Sequence, residues 1–195
     1  SWLVPELDNL WNDYQLQKLV GKKLDELHPG LHWEIGPGET KEHFFAFSPN
    51  LNPEKIVITE KYVDSAPQLE HWEFLSAKPR KRWQKRTIRI KKQEKVKEIN
   101  CDNWKYNLTS FKGGEFFDVN LLPVGCNNYS ESDLCYFGDL LVQFVLGERL
   151  FIDLIDRVNI IKEGSSNEPG IDITSLYEHL EELSDLHKNE KNENV

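Results

Sequence analysis

Leu31–Pro79 reads LHWEIGPGETKEHFFAFSPNLNPEKIVITEKYVDSAPQLEHWEFLSAKP, and its punctuation sets the fold class. LHWEIG and HFFAFSP are short, apolar and aromatic, as strands are, and PGETKE between them holds Pro37 and Gly38 for a turn. NPEKIVITEKYVDSAP then has helical character, with Asn52 as a candidate cap, Pro53 at the first position and Pro67 as the stop. HWEFLSAKP returns to strand character. Hairpin, helix, strand is half of a split β-α-β arrangement, in which helices pack on one face of a mixed or antiparallel sheet. The sequence therefore predicts an α+β fold.

Upstream, VPELDNLWNDYQLQKLVGKKLDEL reads as one N-terminal helix, with Leu7, Leu10, Trp11, Tyr14, Leu19 and Leu24 near helical spacing and Pro29-Gly30 as the stop. Downstream, KRTIRIKKQEKVKEI alternates. Ile88 and Ile90 point one way and Thr87, Arg89 and Lys91 the other, which predicts one half-buried strand with a cationic outer face. WKYNLTSF and EFFDVNLLPV flank Gly113-Gly114 and read as a second hairpin. LCYFGDLLVQFVLGE is an apolar helix closing on Gly147, Arg157 to Lys162 a last strand, and DITSLYEHLEELSDLHK an acidic amphipathic helix with Leu176, Leu180 and Leu183 on one stripe. No internal repeat is read beyond one candidate doubling of the strand–strand–helix–strand unit. The expected layout is a single α+β domain over 1–162, a loop with the acidic helix over 163–188, and a disordered tail over 189–195.

LHWEIGPG, then FAFSP, then VDSAPQLEHWEF, then a helix closing on LGE, resembles bacterial domains of unknown function, over roughly residues 27–162. There a Trp-bearing strand, a Ser-Pro strand end, an Ala-Pro helix end and a second Trp strand recur in that order. The resemblance implies a fold and a bacterial setting. It transfers no functional residue, and residues 80–97 and the acidic helix lie outside it.

With 195 residues, 38% hydrophobic, the chain can bury a core. Its mean hydropathy of −0.60 and the interruption of Leu140–Ile155 by Gly147, Glu148, Arg149 and Asp153 speak against a membrane span. The start lacks the basic region and cleavage site of an intact signal peptide, and a chain with no Met is expected to have lost or lack flanking sequence. Three cysteines (Cys101, Cys126, Cys135), without a C-x-x-C pair, are expected as buried, reduced thiols in a cytoplasmic protein, although Cys126 and Cys135 could close a small loop. Asn107-Leu-Thr and Asn128-Tyr-Ser match the glycosylation pattern, which matters only in a secreted chain.

Charge is the sharpest functional signal. Residues 78–97 hold eleven of the 24 Lys and Arg and one acid, a net of +10, in a chain of net charge −9, so the remainder carries −19. From Glu163 to Val195, nine acids face Lys188 and Lys191. Arg80, Lys81, Arg82, Lys85, Arg86, Arg89 and Lys91, with Trp83 as a stacking ring, form a candidate nucleic-acid grip. Against it stand the acidic remainder and a pI near 5.2. A solvated strand face, or a face paired internally with the acidic helix, is the favoured reading of that stretch, with an acidic protein partner as a further alternative beside nucleic acid. On the acidic helix, Glu178, Glu181, Glu182 and Asp185 form a candidate face for a basic protein partner.

The remaining motifs carry less. His28 and His32 are separated by Pro29 and Gly30, which forbids a helical metal pair, and His32 with Glu34 lacks further ligands. Gly36-Pro37-Gly38 is a turn and not a phosphate loop. Glu115 and Asp118 fit a solvated hairpin rim better than an acid/base pair, Cys101 and Cys135 show no base partner, and Trp33 and Trp72 read as core. No catalytic residue, metal ligand or cofactor is assigned. The expectation is a non-enzymatic protein-binding module, immunity- or adaptor-like. A nucleic-acid accessory domain is the alternative, and an enzyme with a site assembled only in three dimensions is the third reading.

Overall fold

A computed structural model describes residues 4–83, 85–92, 95–161 and 169–193. The chain is an α+β protein whose contacts separate into two compact units, Ser1–Pro79 and Arg80–Val195.

In the first unit, a 3-10 turn at Val4–Asn9 precedes α1 (Tyr14–Leu27). The single N-terminal helix expected from the leucine spacing is thus two pieces. The break falls where Asp13 turns its carboxylate onto the N–H groups of Gln15 and Leu16, at 2.8 and 2.9 Å. That cap satisfies donors that would otherwise be orphaned, so the chain restarts there. Strands β1 (His32–Pro37) and β2 (His43–Ser48) pair antiparallel with Ile35 opposite Phe45. Asn52 caps a 3-10 turn by accepting from Glu54 N–H, α2 (Ile56–Asp64) follows, and β3 (Trp72–Leu75) runs parallel beside β2. Leu7, Leu10, Val20, Leu24, Phe45 and Trp72 are buried as one cluster, and Trp33 stacks flat on Phe45 at 5.6 Å.

The second unit opens with a hairpin, β4 (Thr87–Lys92) and β5 (Lys95–Asn100), where one strand was expected. Alternation carries Ile88 inward on β4, and Ile99 meets it from β5; both are buried. The sequence around the end of β4 and the start of β5 is a run of charged and amide side chains, with no Gly, Pro or Asn to announce a second strand. β6 (Lys105–Phe111) and β7 (Phe116–Leu122) form the next hairpin. α3 (Glu131–Leu146), capped by Ser130, and α4 (Glu148–Leu154) lead to β8 (Ile155–Ile160), which lies parallel to β7. β9 (Ile171–Asp172) adds a short edge beyond β6, giving the order β8-β7-β6-β9, and α5 (Leu176–Glu193) ends the described chain.

α3 packs tightly on the inner face of this sheet. A Cβ added at Gly138 would stand 3.0 Å from both Leu121 and Ile160. Gly147, at φ +77°, closes α3 and opens α4, a conformation costly to any other residue. Each unit therefore carries an antiparallel hairpin, a helical crossover and a third strand parallel to the second.

Candidate functional site

Residues 80–83, 85 and 86 precede β4 without regular structure, and the core of the second unit holds part of this stretch down. The Lys81 N–H donates to the Phe144 carbonyl at 2.7 Å, and the Lys81 ammonium stands 4.8 Å above the Phe144 ring. Trp83, the proposed stacking ring, meets the same Phe144 edge-on at 5.3 Å and is half-buried against the core. Arg86 is built in further. Its N–H donates to Asp102 at 2.7 Å, its guanidinium lies 3.7 Å from the same carboxylate, and its carbonyl accepts from Cys101 N–H.

Other cations of the stretch meet acids from the same unit. Arg89 pairs with Glu98 across the hairpin, and Lys97 reaches Asp133, near the start of α3, at 2.6 Å. Lys85 and Lys91 are exposed. Arg86, Arg89 and Lys97 are thus matched within the unit. Hydrogen bonds from Arg86 N–H and then Asn100 hold the Asp102 carboxyl below its usual range.

α5 docks through the leucines read from the sequence: Leu176 and Leu180 are fully buried and Leu183 is half-buried. A part-buried hydrogen bond adds to this anchoring, for Tyr106, itself fully buried, places its hydroxyl 2.8 Å from Nδ1 of His179. Burial raises the Tyr106 pKa. Glu178, Glu181, Glu182 and Asp185 recur at the spacing of one helical face, and all four are exposed. Tyr177 donates its hydroxyl to Glu181.

The two candidate faces meet. Nη1 of Arg80 lies 3.3 Å from Oε1 of Glu178, and the Arg80 guanidinium lies 3.7 Å above the Tyr177 ring. Around this contact is a cleft of about 260 Å³, whose wall includes Arg80, Arg82, Trp83, Arg86, Tyr177 and Glu178. Internal pairing between basic stretch and acidic helix is thus present at this point.

The other sequence candidates stay apart. His32 is exposed and Glu34 half-buried on β1, and among the described residues no group of three His, Cys, Asp or Glu is placed to hold a metal. Glu115 sits before β7. Asp118 lies within it, opposite Thr109 and Arg157, with one buried carboxylate oxygen lacking a hydrogen-bond partner among the described residues. All three cysteines are free thiols; Cys101 and Cys126 are buried as expected, but Cys135, near the start of α3, is exposed where a buried thiol was expected. Among the described residues no helix is long and apolar enough to cross a membrane. Asp102, Glu98 and Asp133 were not singled out in the sequence, since nothing local marks them as partners of the basic stretch. No protein-family model, curated protein or solved structure matches the chain.

Proposed function

We propose that the chain is a non-enzymatic protein-binding module of a bacterial cytoplasm, immunity- or adaptor-like, that offers the outer face of α5 to a basic partner. The observation that carries this reading is the docking of α5. Leu176 and Leu180 fix the helix to the core, so Glu178, Glu181, Glu182 and Asp185 stand as a preformed acidic stripe. A rigid, charged face of this kind raises the association rate with an oppositely charged surface and sets specificity more than it adds affinity. Preorganisation also spares the ordering cost that a mobile acidic tail would incur on binding.

The test is affinity capture from a lysate after nuclease treatment, with wild type beside two charge-reversal variants. E181K/E182K/D185K should lose a stoichiometric basic protein that wild type retains, while K85E/K91E should keep it. Equal capture by all three would refute the acidic-face reading.

A further inference from the structure

We infer that the outer face of the sheet formed by β6, β7 and β8 is a binding site for a neutral oligosaccharide. It uses no residue of the acidic stripe on α5 and is independent of the acidic-face proposal.

Strand register builds the site. Side chains alternate along a strand, and Tyr106, Val119, Leu121, Val158 and Ile160 turn inward to the core. The intervening residues therefore share the opposite face. Pairing sets Asn107 beside Asn120 and Asn120 beside Asn159; the next row is Thr109, Asp118 and Arg157, and the row after it Phe111 and Phe116. Thr109, Arg157 and Phe111 are exposed, and the others are half-buried. A strand spacing of about 4.8 Å and a two-residue rise of about 6.8 Å make the patch roughly 10 by 14 Å, the footprint of a short oligosaccharide.

The face is rich in amides and poor in net charge. Asn159 donates its side-chain N–H to the Asn120 amide oxygen, and Asn120 donates to the Thr109 hydroxyl, both at 3.0 Å. These bonds orient both amides on rigid strands, and each amide keeps a further N–H for a ligand. Asp118, in the middle row, has one carboxylate oxygen buried without a hydrogen-bond partner among the described residues. Buried acceptors are rarely left so, and a ligand hydroxyl in this row supplies the donor once the carboxylate turns. Arg157 already stands 3.4 Å from Asp156, so these rows offer no surplus charge to a phosphate or sulfate. At the end of the patch Lys112 covers the Phe116 ring at 5.0 Å, while Phe111 is 42% exposed. A sugar matches both parts. Its hydroxyls donate and accept as the amides do, and its C–H face packs on the Phe111 ring.

The full chain is tested on a panel of immobilised neutral oligosaccharides, of glucose, galactose, mannose and N-acetylhexosamine types, beside sulfated ones. A bound neutral glycan is then titrated free in solution and followed by NMR of the side-chain amides. The expected result is saturable binding of a neutral glycan, unchanged from about 20 to 500 mM salt because no charge pairing drives it. The Asn107, Asn120 and Asn159 amide signals should shift with it. Asn107→Ala and Phe111→Ala should each weaken binding about fivefold or more, the loss of one hydrogen bond or one packing surface. E181K/E182K/D185K should bind the glycan as wild type does, so a failure here and a failure of the acidic-face reading are told apart. Thermal melting of each variant reports whether it is folded. No capture of folded wild type by any neutral glycan would overturn the proposal. So would salt-sensitive binding confined to sulfated glycans, or neutral-glycan binding unmoved by both Asn107→Ala and Phe111→Ala.

Discussion

Asp102 shows how one side chain fixes the basic stretch. It accepts from the Arg86 N–H and from Asn100, and these contacts hold its carboxyl below the usual range. A carboxylate with a depressed folded-state pKa contributes stability above its unfolded value, near 4, and loses it as pH falls through the lowered one. Asp102→Ala should therefore cost about 1–2 kcal/mol in urea unfolding near neutral pH, and the gap from wild type should narrow as pH falls below the unfolded value and through the lowered one. An undiminished gap in acid would disprove the charge-based account. Thiol chemistry is a second check at this scale. Burial above all, with Cys126 and Asp102 nearby, pushes the Cys101 thiol up to about 12, whereas Cys135 is exposed. Only the thiolate reacts, so iodoacetamide at mildly alkaline pH should label Cys135 quickly and Cys101 only after unfolding, as read by peptide mass spectrometry. Neither partnership was legible in advance. Asp102 stands sixteen residues from Arg86, and what joins them is the strand pairing of β4 with β5.

Elements were legible where Pro and Gly punctuate an apolar pattern, and obscure where charged residues turn the chain. Pro37-Gly38 and Gly113-Gly114 announced two hairpins that the structure contains, and Asn52 capped where its position predicted. The sequence between β4 and β5 has no such marker. In ERLFIDLI the apolar residues suit either a helix or a strand, and Gly147 makes the difference by ending α3 in a conformation from which α4 restarts. The leucine stripe of α5 needed only its helical period, and the structure buries it. Leu180→Ala should cost about 2–5 kcal/mol, the range for a large-to-small change in a packed core. It should also raise amide hydrogen exchange along α5 ahead of the β6–β7 hairpin. A loss below about half a kcal/mol, typical of surface positions, would mean that α5 is not anchored there.

At the scale of the molecule, two units repeat one connectivity, and each buries its own cluster, Phe45 and Trp72 in one, Trp104 and Phe137 in the other. Residues 80–195 expressed alone should therefore unfold in a single cooperative transition and retain α5 helicity; a fragment that is unfolded from the outset would contradict separate cores. The chain's uneven charge has its explanation here as well. The basic excess of 78–97 could be counted from the sequence. Its partial pairing could not, because Glu98, Asp102, Asp133 and Glu178 reach Arg89, Arg86, Lys97 and Arg80 through hairpin pairing and helix docking, over as many as 98 residues of chain. What the fold leaves toward solvent on α5 is the acidic stripe, and the central claim is that a basic protein docks there. The most direct test is stopped-flow association of the captured partner with wild type and with E181K/E182K/D185K, at ionic strengths from about 20 to 500 mM. Electrostatic docking predicts a wild-type rate that falls at least tenfold across that range, and a variant whose rate is low and nearly flat. Equal rates for the two proteins, insensitive to salt, would contradict the claim.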